Sequence, residues 1–356
     1  MLPLWLVQPL VMFVSNTLLD SSMSDHSTQQ DFSFQNLTPE RIADALAHVG
    51  VDPQSGLLAL NSYENRVYQF IADDNKRYVA KFYRPGRWQD EQILEEHAFT
   101  QELLDAEVPA VAPLQLHGTT LHRYQDYRFT VFPSVGGRAV EPGDLDQLER
   151  IGRQIGRLHA VAKQQSFSHR PTLSYQEFVA DAMATLRESS LLPSNLQEAF
   201  WAIAEPLAQH LRSVNLSAFT QQRLHGDCHL GNMLLRDDQL MFVDFDDARS
   251  GPAIQDLWMM LAGDNRAECT LQLDVLLEGY QEFCDFDSKE VALIEPLRAF
   301  RIIHYMAWLA RRWNDSAFQR AFPWFAEQRY WEQQILTLKE QFSALQEPPL
   351  ALQPMY

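Results

Sequence analysis

The residues best suited to chemistry stand in two short runs, Leu224-His225-Gly226-Asp227-Cys228-His229-Leu230-Gly231-Asn232 and Met241-Phe242-Val243-Asp244-Phe245-Asp246-Asp247. Asp227, Asn232 and Asp244 are polar groups set among apolar residues, near strand ends, where flanking side chains hold their backbones in place. Such a set suits phosphoryl transfer. That reaction asks little covalent chemistry of a protein: a carboxylate accepts the proton of the attacking hydroxyl, while an Asp and an Asn hold Mg²⁺ against the phosphates. Turns and caps are the alternative use of Asp and His in a loop. His225, Asp227, Asn232 and Asp244 in that order, with hydrophobic strands between them, favour catalysis.

The spacing carries the argument further. Asp227 and Asn232 stand five positions apart, as do the Asp and Asn of H-R-D-L-x-x-x-N, and Asp244 ends a strand as the metal-binding Asp of D-F-G does, though here the run reads Asp-Phe-Asp. A complementary cation comes from Tyr78-Val79-Ala80-Lys81-Phe82, which alternates like the V-A-I-K strand whose lysine reaches the nucleotide α and β phosphates. A lysine among apolar residues is costly to bury alone. Glu95 or Glu96 on the following helix can pair with it; snorkelling to solvent is the other use of such a side chain. Neither G-x-G-x-x-G nor G-x-x-x-x-G-K-[ST] occurs. In their place stands Asn61-Ser62-Tyr63-Glu64-Asn65-Arg66, whose hydroxyl, amides and backbone N–H groups fit either phosphate contact or a plain hairpin turn.

These groups need two kinds of scaffold. A first helix is set by Thr38 as cap, Pro39 in the first turn, Ile42, Ala45, Leu46 and Val49 on one face, and Gly50 as stop. Strands are predicted at Leu57 to Leu60, Val67 to Ile71 and Tyr78 to Phe82, with a turn at Asp73-Asp74-Asn75. An amphipathic helix follows from Gln89 to Leu104, ended by the Pro109 and Pro113 segment, then strands near Leu114 to Leu121 and Tyr127 to Phe132. Pro133-Ser134-Val135-Gly136-Gly137 breaks all periodicity and reads as an interlobe hinge. Beyond it, helices are predicted at Leu145 to Ala162, Tyr175 to Arg187, Asn195 to Val214, Gln255 to Ala262, Leu271 to Phe283 and Ser288 to Trp313. Strand pieces are confined to Met233 to Leu235 and Leu240 to Val243.

The predicted fold class is therefore α+β, with a small antiparallel-sheet lobe plus one main helix over residues 31–133 and a larger, mostly helical lobe over 134–356. Residues 1–30 read as a disordered or mis-assigned start. Met1 to Val14 is apolar but falls short of the roughly 20 residues that span a bilayer and has no preceding Lys or Arg. Met23, followed by the polar run Ser24 to Gln30, is the expected true beginning.

At 356 residues, with 46% apolar and 21% charged residues, the chain can bury a core of globular size. Its 29 Lys and Arg against 47 Asp and Glu give a net charge of −18, which repels nucleic-acid phosphates and mildly favours a cationic acceptor. Only Cys228, Cys269 and Cys284 occur, without metal-binding or disulfide spacing, which fits a reducing cytosol. Cys228 beside Asp227 would be a redox switch if its thiol were acidic; an inert small hydrophobe is the commoner use. The loop spacing of His225, Asp227 and His229 disfavours zinc. Gly152 and Gly156, four apart, suit close helix packing. Trp308, Arg311, Arg312 and Trp313 suit substrate binding or, more commonly, a cation–π-lined core edge.

With these residues assembled, the sequence resembles the aminoglycoside phosphotransferase and choline kinase branch of the protein-kinase-like fold. The matching features are the Ser62 to Val67 turn, Val79-Ala80-Lys81, Ile151-Gly152-Arg153-Gln154-Ile155-Gly156-Arg157-Leu158-His159, the Leu224 to Asn232 run and Val243-Asp244-Phe245-Asp246-Asp247. Within that branch it is similar to bacterial serine/threonine protein kinases of stress response, from about Phe32 to Tyr356. The resemblance implies Asp227 as proton acceptor, Asn232 and Asp244 as Mg²⁺ ligands, Ser62 and Lys81 at ATP, and Glu96 paired with Lys81. It further implies a cytoplasmic monomer acting with ATP on Ser or Thr of protein substrates, with autophosphorylation open to it, while the charge and the short apolar start speak against a nucleic-acid or membrane partner. A missing glycine-rich loop and a missing A-P-E segment depart from ordinary protein kinases and speak against activation-loop phosphorylation. Two rivals remain: a small-molecule hydroxyl kinase of aminoglycoside, choline or homoserine type, and a non-catalytic pseudokinase scaffold. Intact Lys81, Asp227, Asn232 and Asp244 oppose the scaffold.

Overall fold

Two-period patterning in the first third of the chain and helical periodicity after it produce two lobes. The computed structural model describes residues 34–60, 62–141, 143–237 and 239–352. The apolar segment from Met1 and the expected beginning at Met23 lie outside the described residues.

The first lobe opens with α1 (Pro39–His48), whose start is fixed by Thr38, its hydroxyl accepting from Arg41 N at 3.4 Å. Strands β1 (Leu58–Leu60), β2 (Arg66–Ile71) and β3 (Arg77–Phe82) form an antiparallel meander, followed by α2 (Asp90–Asp105). Strands β4 (His122–Tyr124) and β5 (Tyr127–Pro133) complete a five-stranded sheet in the order β1-β2-β3-β5-β4. Lys81 sits in its centre, opposite Val67 on one side and Thr130 on the other. Phe70, Ala80, Phe82, Phe129 and Val131 bury one face of the sheet against Ile42 and Leu46 of α1.

The second lobe is joined through Ser134 to Gly137 to β6 (Arg138–Ala139), which pairs with Leu234 and Leu235 of the helical lobe. It comprises α3 (Leu145–Ala162), a π-helical turn Gln176–Ala180 leading into α4 (Asp181–Glu188), α5 (Gln197–Leu211), and β7 (Gln222–Leu224). The hairpin β8 (Met233–Arg236) and β9 (Gln239–Phe242) follows, then β10 (Arg249–Gly251), α6 (Arg266–Tyr280), α7 (Ile294–Arg312), α8 (Ser316–Ala321) and α9 (Gln328–Ala344). α3 and α6 approach closely enough that a Cβ added to Gly152 would lie 2.0 Å from Leu276 O, and one added to Gly156 would lie 2.4 Å from Tyr280 O. Close packing is thus the use of that glycine pair.

Four expectations change. Strand pieces of the second lobe are not confined to the β8–β9 hairpin: β6 pairs with β8, and β7 pairs with β10, in runs of two or three residues too short to show alternation. Leu114 to Leu121 is not a strand: His117 and Gly118 take φ of +50° and +82°, so the chain turns and only Leu116 and Thr119 bridge. Gln255 to Ala262 is not one helix but two 3₁₀ turns, Ala253–Asp256 and Trp258–Met260, around an Asp256 whose side chain is buried in tertiary hydrogen bonds. Ser288 to Trp313 divides into a 3₁₀ segment, Ser288–Leu293, and α7. Pro296 falls in the first turn of α7, where its missing N–H costs nothing.

Candidate active site

The site is built where β3 of the sheet lobe faces the loops before β8 and after β9. Ser62, Lys81 and Glu96 from the first lobe and Asn232, Val243 and Asp244 from the second line one cavity of about 300 Å³. Its walls are largely apolar, with Leu60, Val67, Val79, Val111, Phe132 and Leu234 among them, and Gln69 and Ser134, hydrogen-bonded to each other, add polar groups at the interlobe connection. Apolar walls with a few convergent polar groups are the usual build of a small-ligand site.

Lys81 is buried, its side chain 6% exposed, and its Nζ lies 2.8 Å from Asp246 Oδ1, 3.1 Å from Asp244 Oδ1 and 4.0 Å from Glu96 Oε1. Burial disfavours the ammonium, yet Asp246, Asp244 and Glu96 together outweigh it and hold Lys81 well above the usual lysine range. The expected partner Glu96 is therefore present but is the farthest of three. Burial pushes the Glu96 carboxyl up to about 7, with Arg170 Nη1 3.7 Å from its other oxygen. Asp246 is buried too. Burial opposes its charge, but Arg87 and Lys81 prevail and hold its carboxyl low.

The catalytic-loop candidates are positioned by one fully buried carboxylate. Asp256 Oδ2 accepts from His225 N at 2.7 Å, Oδ1 accepts from Gly226 N at 2.9 Å, and His159 Nε2 lies 3.1 Å from Oδ2. His225 Nε2 meets Val243 O at 3.0 Å, tying this loop to the strand end that carries Asp244. Gly226 has φ of +87°, and a Cβ there would lie 2.0 Å from Asp247 O, so the position demands glycine. Asp244 itself has φ of +61°, a left-handed turn that sends its side chain, 56% exposed, toward the cavity mouth.

Asp227 pairs with Arg301 of α7 and with His229, whose Nε2 lies 3.3 Å away. Burial works against its charge, but Arg301 and His229 hold the carboxyl well below the usual carboxylate range. Asn232 Nδ2 donates to Asp227 O at 3.0 Å, which leaves the amide oxygen for another partner. Among the described residues no group of three or more His, Cys, Asp or Glu side chains is placed to hold a metal. Asn232 and Asp244 are hard oxygen donors, which fits Mg²⁺: that ion typically takes one or two protein ligands and completes its shell from phosphates and water. Cys228 is buried, and burial first, then Asp256 and Asp227, push its thiol well above the usual range, the opposite of a redox-active cysteine.

A family model described as the phosphotransferase enzyme family matches residues 57–300, from β1 into α7 and across both walls of the cavity. The chain belongs to that family. Among curated relatives of this phosphotransferase, stress response kinase A of Escherichia coli O157:H7 is 51% identical over 91% of this chain and 98% of its own length. The same protein from Escherichia coli K12 is 50% identical, and serine/threonine protein kinase RdoA of Salmonella typhimurium 49%, over the same shares. Among solved structures, a microcompartment-associated aminopropanol kinase superposes with a TM-score of 0.65 at 18% identity, covering 85% of this chain and 97% of that one. Amicoumacin kinase hAmiN, solved in complex with AMP-PNP, Ca²⁺ and Ami, gives 0.61 at 19% identity over 76% and 86%. Both likenesses are of fold: the phosphotransferase has the protein-kinase-like two-lobed architecture.

Several residues of this phosphotransferase site were not singled out by sequence reasoning. Asp246 stands within the acidic run but carries no motif label that separates it from Asp247. Asp256, Arg301 and Arg87 lie far from the motifs they support, and Glu64, although inside the turn read from the sequence, carries no local sign of its partners on α7. Arg87 Nη2 reaches Asp247 at 2.8 Å and its Nη1 reaches Asp246, a link that only folding makes visible. Among the described residues no helix is long and apolar enough to cross a membrane.

Proposed function

We propose that this phosphotransferase is an ATP- and Mg²⁺-dependent serine/threonine protein kinase that contributes to bacterial stress survival. The observation that carries the reading is identity of about one half, over nearly the whole chain, to relatives named stress response kinase A and serine/threonine protein kinase. The site chemistry agrees. Lys81, fixed on β3, meets the nucleotide phosphates; Asn232 and Asp244 hold the metal; Ser62 contacts phosphate from the turn above the cavity; and Glu96 shares Lys81 with Asp246. Mg²⁺ supplies neutralisation of the charge on the transferred group.

Asp227 orients the acceptor hydroxyl and takes its proton. Its low basicity suits a loose transition state in which positioning outweighs proton abstraction. Arg301 and His229 keep the carboxylate ionised and aimed. The enzyme works in this reading as a cytoplasmic monomer on protein hydroxyls, its own included.

The fold neighbours named for aminopropanol and amicoumacin act on small molecules, and the −18 charge suits a cationic acceptor, so the test includes both classes. Incubation with γ-labelled ATP, a bacterial protein extract and a panel of amino alcohols and aminoglycosides should place label on protein. It should disappear with Asp227→Asn, whose kcat falls by about 10² to 10⁴ with ATP affinity kept. Label on a small molecule alone would replace the acceptor class; equal labelling by Asp227→Asn would remove the catalytic assignment.

A further inference from the structure

The turn over the cavity, Ser62 to Arg66, contains no glycine, yet it occupies the place at which glycine-rich loops cover nucleotide phosphates. Its middle residue, Glu64, does not face solvent. Glu64 Oε2 accepts from Trp308 Nε1 at 3.0 Å and from Arg312 Nη2, both on the last turns of α7 in the other lobe. Glu64 Oε1 makes no hydrogen bond and lies 3.5 Å from Arg84 Nε and 3.6 Å from Arg87 Nε. Both Glu64 and Arg312 are 12% exposed.

The rest of the turn is held the same way. Tyr63 packs edge-on against Phe322 at 4.5 Å and Phe318 at 6.1 Å, both on or beside α8. Arg66 Nη2 pairs with Asp315 Oδ2 at 3.2 Å. Arg312 also lies over the Trp308 ring, 4.7 Å from its centre. Tyr63, Glu64 and Arg66 thus each tie the turn to the α7–α8 corner. Arg87 then extends the chain of charges from Glu64 to Asp246 and Asp247 beside Lys81 and Asp227.

We propose that Glu64 is a positioning residue that fixes the Ser62 to Arg66 turn over the nucleotide's outer phosphates by anchoring it to Arg312 and Trp308 of the opposite lobe. This rests on the ATP reading above. A glycine loop closes through its own backbone freedom; here closure of the lobes and covering of the phosphates are one event, because the anchor of the cover lies across the cleft. The adenosine end of the nucleotide lies against the apolar walls and does not feel the anchor.

The test compares ATP with AMP, which lacks the β and γ phosphates. By titration calorimetry, Glu64→Gln should weaken ATP binding about ten- to a hundred-fold, the range expected for loss of a charged hydrogen bond, and leave AMP within about twofold. Trp308→Phe, which removes the indole donor but keeps an aromatic ring under Arg312, should shift ATP in the same direction by less, and it serves if Glu64→Gln does not fold. The double variant Glu64→Gln/Arg312→Gln should be no worse than Glu64→Gln alone. Equal ATP affinity in wild type and in folded Glu64→Gln or Trp308→Phe overturns the inference alone, as does equal weakening of AMP and ATP. No ATP binding by the wild-type chain overturns it together with the ATP reading.

Discussion

Lys81 Nζ stands 2.8 Å from Asp246 and 4.0 Å from Glu96, so the acid nearest this buried lysine comes from the opposite lobe rather than from the helix of its own lobe. Asp246 serves Lys81 and Arg87 at once. Glu96, whose carboxyl burial pushes up to about 7, gives up its charge more readily.

The two acids should therefore differ in what they hold. Asp246→Asn leaves two buried cations short of a counter-charge and should cost about 3 to 5 kcal/mol, the usual price of breaking a buried pair. Glu96→Gln keeps shape and removes a charge that is already disfavoured, so it should cost under about 1 kcal/mol. Urea unfolding of the ligand-free proteins at pH 7 reads both; equal losses would show that the distances do not rank the pairs.

Asp256 touches no reacting group, yet it accepts from two successive backbone N–H groups ahead of Asp227 and meets His159 as well. Asp256→Ala orphans three buried groups, at about 1 to 3 kcal/mol each, and lets the loop move. Stability and kcat should fall together, with Asp256→Asn intermediate because one oxygen remains. A folded Asp256→Ala protein with wild-type kcat would remove the loop-positioning role.

Glu290 gives a pH signature away from the site. Burial lifts its carboxyl to about 7, against the hydrogen bond it accepts from Ile254 N at 2.9 Å. Since the folded value is above the ordinary one of 4.5, the stabilising contribution is fully present below about pH 4.5 and is lost as pH rises through 7. The loss is of the order of 3 kcal/mol at most, from the separation of the two values. Burial holds His97 and His304 down at about 3, which raises stability over the same window, so the reading is a difference: wild type should lose stability relative to Glu290→Gln as pH rises from 4.5 to 7, and identical slopes would assign no pH dependence to Glu290.

The candidate site divides along the same line as the fold. Asp227, Asn232, Asp244 and Lys81 were legible because each sits in a local pattern whose strand or turn depends on its neighbours. The helix capped by Thr38 and the meander around Lys81 appear where alternation and caps set them, and α3 runs from Leu145 to Ala162 as its periodicity predicts. Gln255 to Ala262 departs from its helical pattern, and within it each Asp256 carboxylate oxygen accepts from a backbone N–H about thirty residues earlier, a tertiary demand that periodicity does not record.

What the sequence determined by itself is the set of local conformations and the identity of the groups that could share one phosphate-binding cleft. Tertiary structure alone decided the pairings: Asp246 over Glu96 at Lys81, Arg301 at Asp227, and Glu64 on the α7 corner. The reason is physical. Propensity and periodicity act over a few residues, whereas a buried charge takes whichever counter-charge the packing of distant elements brings within about 4 Å, where low polarisability of the interior makes that choice decisive.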